Sequence, residues 1–167
     1  MVNCDYLNFK RNRRQALTPI TLRPIQPHEL PALLDLYRQL HATDAPLPDE
    51  ETLERLWNEI LNDPKLHYFV AEAEGQLVAS CTLAVIPNLT RGARPYGVIE
   101  NVVTHANHRR QGIGTQLLQH ALQTAWEQKC YKVMLLTGSK QEATLHFYEQ
   151  AGFQRGVKTG FVALARE

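Results

Sequence analysis

YGVIENVVTHANHRRQGIGT, residues 96–115, reads as an apolar strand, Val98 to Val103, that runs through a polar loop into a glycine-bearing turn and then a helix. The turn is Arg109-Arg110-Gln111-Gly112-Ile113-Gly114. A helix start leaves backbone N–H groups without partners and carries partial positive charge, and glycines let a bulky anion approach the main chain. Two arginines at the mouth add donors that match phosphate geometry. The stretch therefore predicts a phosphate-bearing ligand held at the start of a helix.

Working outward, a chain of 167 residues has room for one well-packed core. A basic run, Lys10, Arg11, Arg13 and Arg14, marks residues 1–18 as a solvated tail, leaving residues 19–167 as a single domain. A targeting presequence or a nucleic-acid arm is the competing reading of that run. The net charge of +1 supplies no overall field for nucleic acid or an anionic membrane, so neither is expected as a partner. Three cysteines, Cys4, Cys81 and Cys130, form no C-x-x-C pair, which points to reduced thiols and a cytoplasmic protein. No run approaches the roughly eighteen apolar residues a membrane span needs.

Ile20 to Arg23 predicts a short first strand. Leu30, Leu33, Leu34, Tyr37 and Leu40 recur at helical spacing between Pro27 and His41, giving a helix with one buried face. Asp49 caps a second helix carrying Leu53, Leu56, Trp57, Ile60 and Leu61. His67–Glu72 and Leu77–Ile86 form a hairpin about Glu74-Gly75-Gln76. Cys81, inside the second of these strands, reads as a small buried apolar residue rather than a nucleophile. After the organising strand come a helix over Ile113–Gln128, the continuous apolar run Tyr131–Thr137, expected at the sheet centre, and a helix over Gln141–Ala151 stopped by Gly152. Phe153–Arg155 and Phe161–Ala165 are further strand candidates. The order predicts an α/β fold, a mixed sheet with helices on its faces.

Rival motifs fit poorly. A dinucleotide fingerprint needs a third glycine where Leu117 stands, and no glycine-lysine-serine/threonine run of a P-loop is present. His105 and His108 have metal-pair spacing but no cysteine or carboxylate cluster beside them, so no metal site is expected.

With R-R-Q-G-I-G following VIENVV, and CYKVMLLTG and HFYEQAGF further on, the chain resembles the GNAT superfamily of acetyl-CoA-dependent N-acetyltransferases. The likeness covers residues 20–163 in its order of elements. GVIENVV, CYK and FYEQAGF are most similar to glucosamine-6-phosphate N-acetyltransferases, and aminoalkyl acetyltransferases form a second resemblance. The resemblance implies a three-layer fold with a central mixed sheet of six to seven strands, splayed around its central strands, and a homodimer. It implies acetyl-CoA as co-substrate, its pyrophosphate on the amides of Arg110, Gln111, Gly112, Ile113, Gly114 and Thr115 beside Arg109. Its pantetheine arm would lie along Val102, Val103 and Thr104, with the Val103 N–H as donor to the thioester oxygen. Lys140 stands where the family often has asparagine, and a lysine there can reach a coenzyme phosphate instead.

Glu100 falls beside the implied acetyl position. An alkylamine of pKa about 10.4 costs roughly 4–5 kcal/mol to deprotonate at pH 7, while a glutamate near 4.3 is a weak base. Binding of the substrate ammonium with proton removal through water is the favoured role; an ordinary surface carboxylate is the alternative. Tyr148 matches the family tyrosine that faces the coenzyme sulfur. Proton transfer from a phenol to a thiolate runs uphill by about 2 kcal/mol, so hydrogen bonding to the leaving group serves at least as well. Arg91, Arg94 and Lys132 are candidate partners of a substrate phosphate, or plain surface charges. A small-molecule amine, an amino-sugar phosphate most sharply, is the leading acceptor. A protein or peptide amine, and a catalytically silent acetyl-CoA-binding module, are the alternatives.

Overall fold

A computed structural model describes residues 19–40 and 43–165 of the chain; the basic segment 1–18 lies outside the described residues. Five strands form one sheet in the order β1-β2-β3-β4-β5: β1 (Ile20–Pro24), β2 (Leu66–Ala73), β3 (Gln76–Ile86), β4 (Tyr96–Thr104) and β5 (Val133–Met134). The first four pair antiparallel and β4 pairs β5 in parallel. The helices are α1 (Leu30–Tyr37), α2 (Glu50–Asn62), the single turn α3 (Thr90–Ala93), α4 (Ile113–Glu127) and α5 (Glu142–Gln150). The mixed sheet with helices on its faces is as expected.

Local chemistry explains the main elements. Glu74 and Gly75 both adopt positive φ, 51° and 76°, which closes β2 onto β3 as a two-residue hairpin in the hand that matches strand twist. Asp49 accepts from Thr52 N at 2.9 Å and caps α2. Pro27–Glu29 forms a 3-10 turn before α1. Its Glu29 joins Arg23 of β1 and Glu72 of β2, with Arg23 Nη2 2.6 Å from Glu29 Oε1. Hydrogen bonding from Arg23 holds the Glu29 carboxyl below its ordinary value of 4.5 despite partial burial.

Two apolar layers cover the sheet. One face packs Phe69, Cys81, Leu83 and Ile99 against Leu117, Leu118, Ala121 and Ala125 of α4. The other packs Val70 against Leu33 of α1 and Trp57 of α2. β3 is buried along both faces from Val78 to Leu83, so the strand with the near-continuous core is β3, in the middle of the strand order.

That placement corrects the expectation for Tyr131–Thr137. Only Val133 and Met134 are paired, at the sheet edge, and the run is half-buried. Val133 and Leu135 pack against the core while Leu136 is exposed, so the run serves one layer rather than two, and an unbroken apolar run does not distinguish these cases. The strands expected at Phe153–Arg155 and Phe161–Ala165 do not form either. Phe153 N closes the end of α5 on Tyr148 O and its ring packs on the core. Phe161 and Leu164 are 90% and 85% exposed. The sheet of the described residues thus has five strands rather than six or seven.

Candidate active site

β4 is the strand on which everything turns. Its pairing with β5 consists of Gly97 with Val133 and Val98 with Met134, supported by Gly97 N donating to Lys132 O at 2.9 Å. β5 then ends, while β4 continues to Thr104. The two strands part beyond Val98, and the β5 side of β4 presents unpaired main-chain groups to the space between them. Gly97 closes the narrow end: a Cβ there would stand 2.9 Å from Leu83 Cδ1 and 3.1 Å from a Val133 methyl. Only a glycine lets the strands approach this closely.

On its other side β4 carries a bulge. Ser80 pairs with Val103 and Thr82 with Glu100, so Cys81 alone faces both Asn101 and Val102. Asn101 takes φ of 53°, a left-handed conformation that asparagine tolerates better than most residues. Bulges bend a strand and re-aim its side chains. Here Glu100 and Asn101 are exposed while Ile99 and Val103 remain buried.

The wide end of the gap meets the start of α4. Gly112, at φ 80°, is the N-cap and provides no side-chain cap, so the first N–H groups of α4 stay open to a ligand. Arg109 Nε donates to Thr104 O at 3.0 Å and Ala106 N to Gln39 Oε1 at 2.8 Å, tying the loop between β4 and α4 to the sheet and to the end of α1. Gln111 Nε2 donates to Asn107 O, and Arg110, at φ 60°, is exposed. Gly114 fits tightly, its missing Cβ position lying 3.0 Å from Thr104 Oγ1 and 3.1 Å from Phe147 Cε2. β4, α4 and α5 therefore meet at one point. Lys140 is exposed on the loop just before α5.

Tyr148 comes from α5, half-buried between Phe147 and Phe153 at centroid distances of 4.9 and 6.4 Å. Burial pushes its phenol above the ordinary 10.0, a hydrogen bond with Thr137 opposes this, and the negative charge of Glu100 adds to the rise. Tyr148 and Glu100 thus share one electrostatic neighbourhood. A neutral phenol can donate a hydrogen bond, and a carboxylate can receive a cation.

The three candidate phosphate partners do not join them. Arg94 donates to Lys129 O at 3.3 Å and Cys130 O at 3.2 Å, where a cation satisfies carbonyls just past α4. Lys132 Nζ lies 5.2 Å from the Tyr96 ring centroid and 5.6 Å from that of Tyr131. Arg91 is exposed in α3, whose residues from Arg91 to Ala93 all take positive φ. All three sit toward the narrow end, and the four residue-to-residue steps of strand from Tyr96 to Glu100 span about 13 Å.

Other candidates resolve simply. Burial pushes the Cys81 thiol up to about 12, which suits a core residue and not a nucleophile. The His105 and His108 rings are 5.8 Å apart, and among the described residues no three potential ligands form a metal group. Among the described residues no helix is long and apolar enough to cross a membrane.

Sequence reasoning missed Tyr37, Ser80 and Thr82. Their hydroxyl oxygens are buried without hydrogen-bond partners among the described residues, a condition costing about 1–3 kcal/mol per group when left uncompensated. Burial is the main cause of a Tyr37 pKa raised to about 12, and Thr82, Ser80 and Asn101 lie near enough to oppose it. Two polar residues alternating inside an apolar strand were the available signal.

Comparison with known proteins supplies the relatives of this arrangement. Residues 31–153 match the model of the acetyltransferase (GNAT) family. The chain is 36% identical over 86 residues to a glucosamine 6-phosphate N-acetyltransferase of Trypanosoma brucei brucei, covering 52% of this chain and 56% of that protein. It is similar in structure to a candidate acetyltransferase of Agrobacterium tumefaciens str. C58, at TM-score 0.81 and 45% identity, covering 87% of this chain and 99% of the other. A Trypanosoma brucei acetyltransferase matches at TM-score 0.73 and 28% identity, covering 87% and 100%. The chain spans about half the length of the curated relatives it matches.

Proposed function

The chain belongs to the acetyltransferase (GNAT) family, and from that premise we propose that it moves the acetyl group of acetyl-CoA directly to a primary amine of a small molecule in a ternary complex. An amino-sugar phosphate is the acceptor class that the similarity to a glucosamine 6-phosphate N-acetyltransferase favours. The observation that carries the reading is the gap between β4 and β5, which leads from the open N–H groups of α4 to Glu100 and Tyr148.

The amides of Arg110 to Thr115, with the charges of Arg109 and Arg110, suit the pyrophosphate, and Lys140 is placed to reach a further phosphate. Each such interaction contributes roughly 0.3–1 kcal/mol when exposed, so several must act together. Main-chain groups of Val102, Val103 and Thr104 suit the amides of an extended arm, and Val103 N–H is the proposed donor to the carbonyl oxygen as it gains charge. Glu100 holds the acceptor ammonium and passes its proton to water. Tyr148 donates a hydrogen bond to the departing sulfur. Of the candidate phosphate partners, Arg91 keeps an exposed guanidinium, whereas Arg94 and Lys132 would have to leave their present contacts.

Release of free thiol from acetyl-CoA across a panel of amines tests this. Turnover with glucosamine 6-phosphate supports the proposal, turnover with peptides alone redirects it to a protein acceptor, and binding without turnover makes the chain a silent acetyl-CoA module. Glu100→Gln keeps the shape and removes the charge. It is expected to raise KM for the amine by about 10-fold, the value of roughly 1.4 kcal/mol of charge pairing, with acetyl-CoA affinity unchanged. An unaltered KM removes Glu100 from the acceptor site.

The proposal extends to a cytoplasmic homodimer. Exposed apolar side chains at Phe161, Val162 and Leu164, beside a sheet whose β5 edge is only two residues long, support it. Sedimentation of the purified chain at twice 19.0 kDa is the expected result, and a monomer at micromolar concentration refutes that part.

A further inference from the structure

Three hydroxyls that the proposed chemistry leaves idle lie together against the β4 bulge. Tyr37 ends α1, and Ser80 and Thr82 come from β3. Ser80 and Thr82 are 0% and 7% exposed, and the Tyr37, Ser80 and Thr82 oxygens each expose less than 1 Å². On β3 the two side chains share one face. Across the ladder Ser80 meets Val103 and Thr82 meets Glu100, the two residues that bracket the bulge. α1 packs on both β3 and β4, and the side chains of Ser80, Thr82 and Asn101, the bulged residue, lie around the Tyr37 hydroxyl without bonding it.

The four groups are neighbours, yet no pair of the three hydroxyls meets hydrogen-bond geometry. Buried polar groups in native proteins find partners, in the protein or in ordered water. A water molecule has two donors and two acceptors, and buried waters are held by two to four such contacts. Three hydroxyls and one amide match that valence. We infer that Tyr37, Ser80, Thr82 and Asn101 hold a single ordered water that fastens α1 to the β4 bulge and so fixes the outward set of Glu100. These are positioning residues, since none of them touches the reacting atoms. The enclosure of the three oxygens makes the water a fixed part of the fold and not a solvent route to the acceptor. Its kinetic consequence rests on Glu100 binding the amine; the water itself does not.

A crystal structure of the unmodified protein at a resolution that shows ordered solvent is the direct test. The expected result is a water peak about 2.7–3.2 Å from Tyr37 Oη, Ser80 Oγ, Thr82 Oγ1 and the Asn101 amide. Direct bonds among the hydroxyls with no such peak overturn the inference. Thr82→Val keeps the side-chain shape and loses the hydroxyl, and Thr82→Ser keeps the hydroxyl. Thr82→Val and Tyr37→Phe should each lower kcat/KM for the amine by about 5- to 10-fold at unchanged acetyl-CoA affinity. Thr82→Ser should restore it. Equal activity of Thr82→Val and wild type refutes the positioning role. Thermal unfolding answers independently of any acceptor: the double variant Tyr37→Phe/Thr82→Val should lose less than the sum of the single losses, and strict additivity counts against a shared water.

Discussion

Gly114→Val is expected to weaken acetyl-CoA binding by about 100-fold or more while the hairpin half of the sheet stays folded. A Cβ at this position would stand 3.0 Å from Thr104 Oγ1 and 3.1 and 3.2 Å from two atoms of the Phe147 ring. Valine adds two methyls beyond that Cβ, and the neighbours are the end of β4 and the second half of α5, which other contacts hold. The first turn of α4 must then move. A ligand anchor made of several N–H groups, each contributing roughly 0.3–1 kcal/mol, fails as a unit when their common origin shifts. Overpacking of this kind costs about 1–3 kcal/mol of stability. Calorimetry with acetyl-CoA and urea unfolding measure the two losses separately. Binding as tight as in wild type would mean that the first turn of α4 is not the anchor. Gly112 makes a contrast, because its nearest neighbour is Gln116 Nε2 at 3.8 Å. A side chain there has space, and the obstacle is its φ of 80°.

Tyr148→Phe is expected to lower kcat by roughly 10- to 100-fold with acetyl-CoA affinity unchanged. A hydrogen bond to a charged group contributes about 1.5–3 kcal/mol, and in the proposed reaction it forms as charge develops on sulfur, so its loss would appear in kcat. Burial raises the phenol pKa and the charge of Glu100 raises it further. Complete proton transfer to a thiolate is therefore more uphill than the roughly 2 kcal/mol between the unperturbed groups, which favours hydrogen bonding over general-acid catalysis. The sign for pH follows. A phenol with a raised pKa stays protonated through neutral pH and is lost only above about pH 10. A fall of kcat centred below about pH 9 that disappears in Tyr148→Phe would contradict the raised value, and an unchanged kcat would remove Tyr148 from the mechanism.

Much of this arrangement was legible because it rests on local rules. Glu74-Gly75-Gln76 between two strand-like runs announced the hairpin, Asp49 announced a helix cap, and Arg109 to Gly114 marked the turn into α4. Pairing across the sheet was not local. The run Tyr131–Thr137 has the composition of a central strand, yet strand order puts it at the edge. Phe161–Ala165 is a continuous apolar run such as a buried strand has, but its side chains find no cover within the described residues. Arg94 reads as an exposed cation until α4 ends beside it and offers carbonyls. Tyr37 sits at helical core spacing, and nothing in α1 tells that its hydroxyl arrives against Ser80, Thr82 and a bulge about forty to sixty residues away along the chain.

The parting of β4 from β5 also bears on aggregation. Unpaired strand groups on a protein surface recruit other chains, and proteins blunt or hide them. Along β4 these groups face a gap that is closed at Gly97 by Val133 and bordered by side chains of α4 and α5. In the proposed function a slender, extended, amide-bearing arm completes that ladder, and the close approach of Val133 at Gly97 leaves less room there for the width of a second strand.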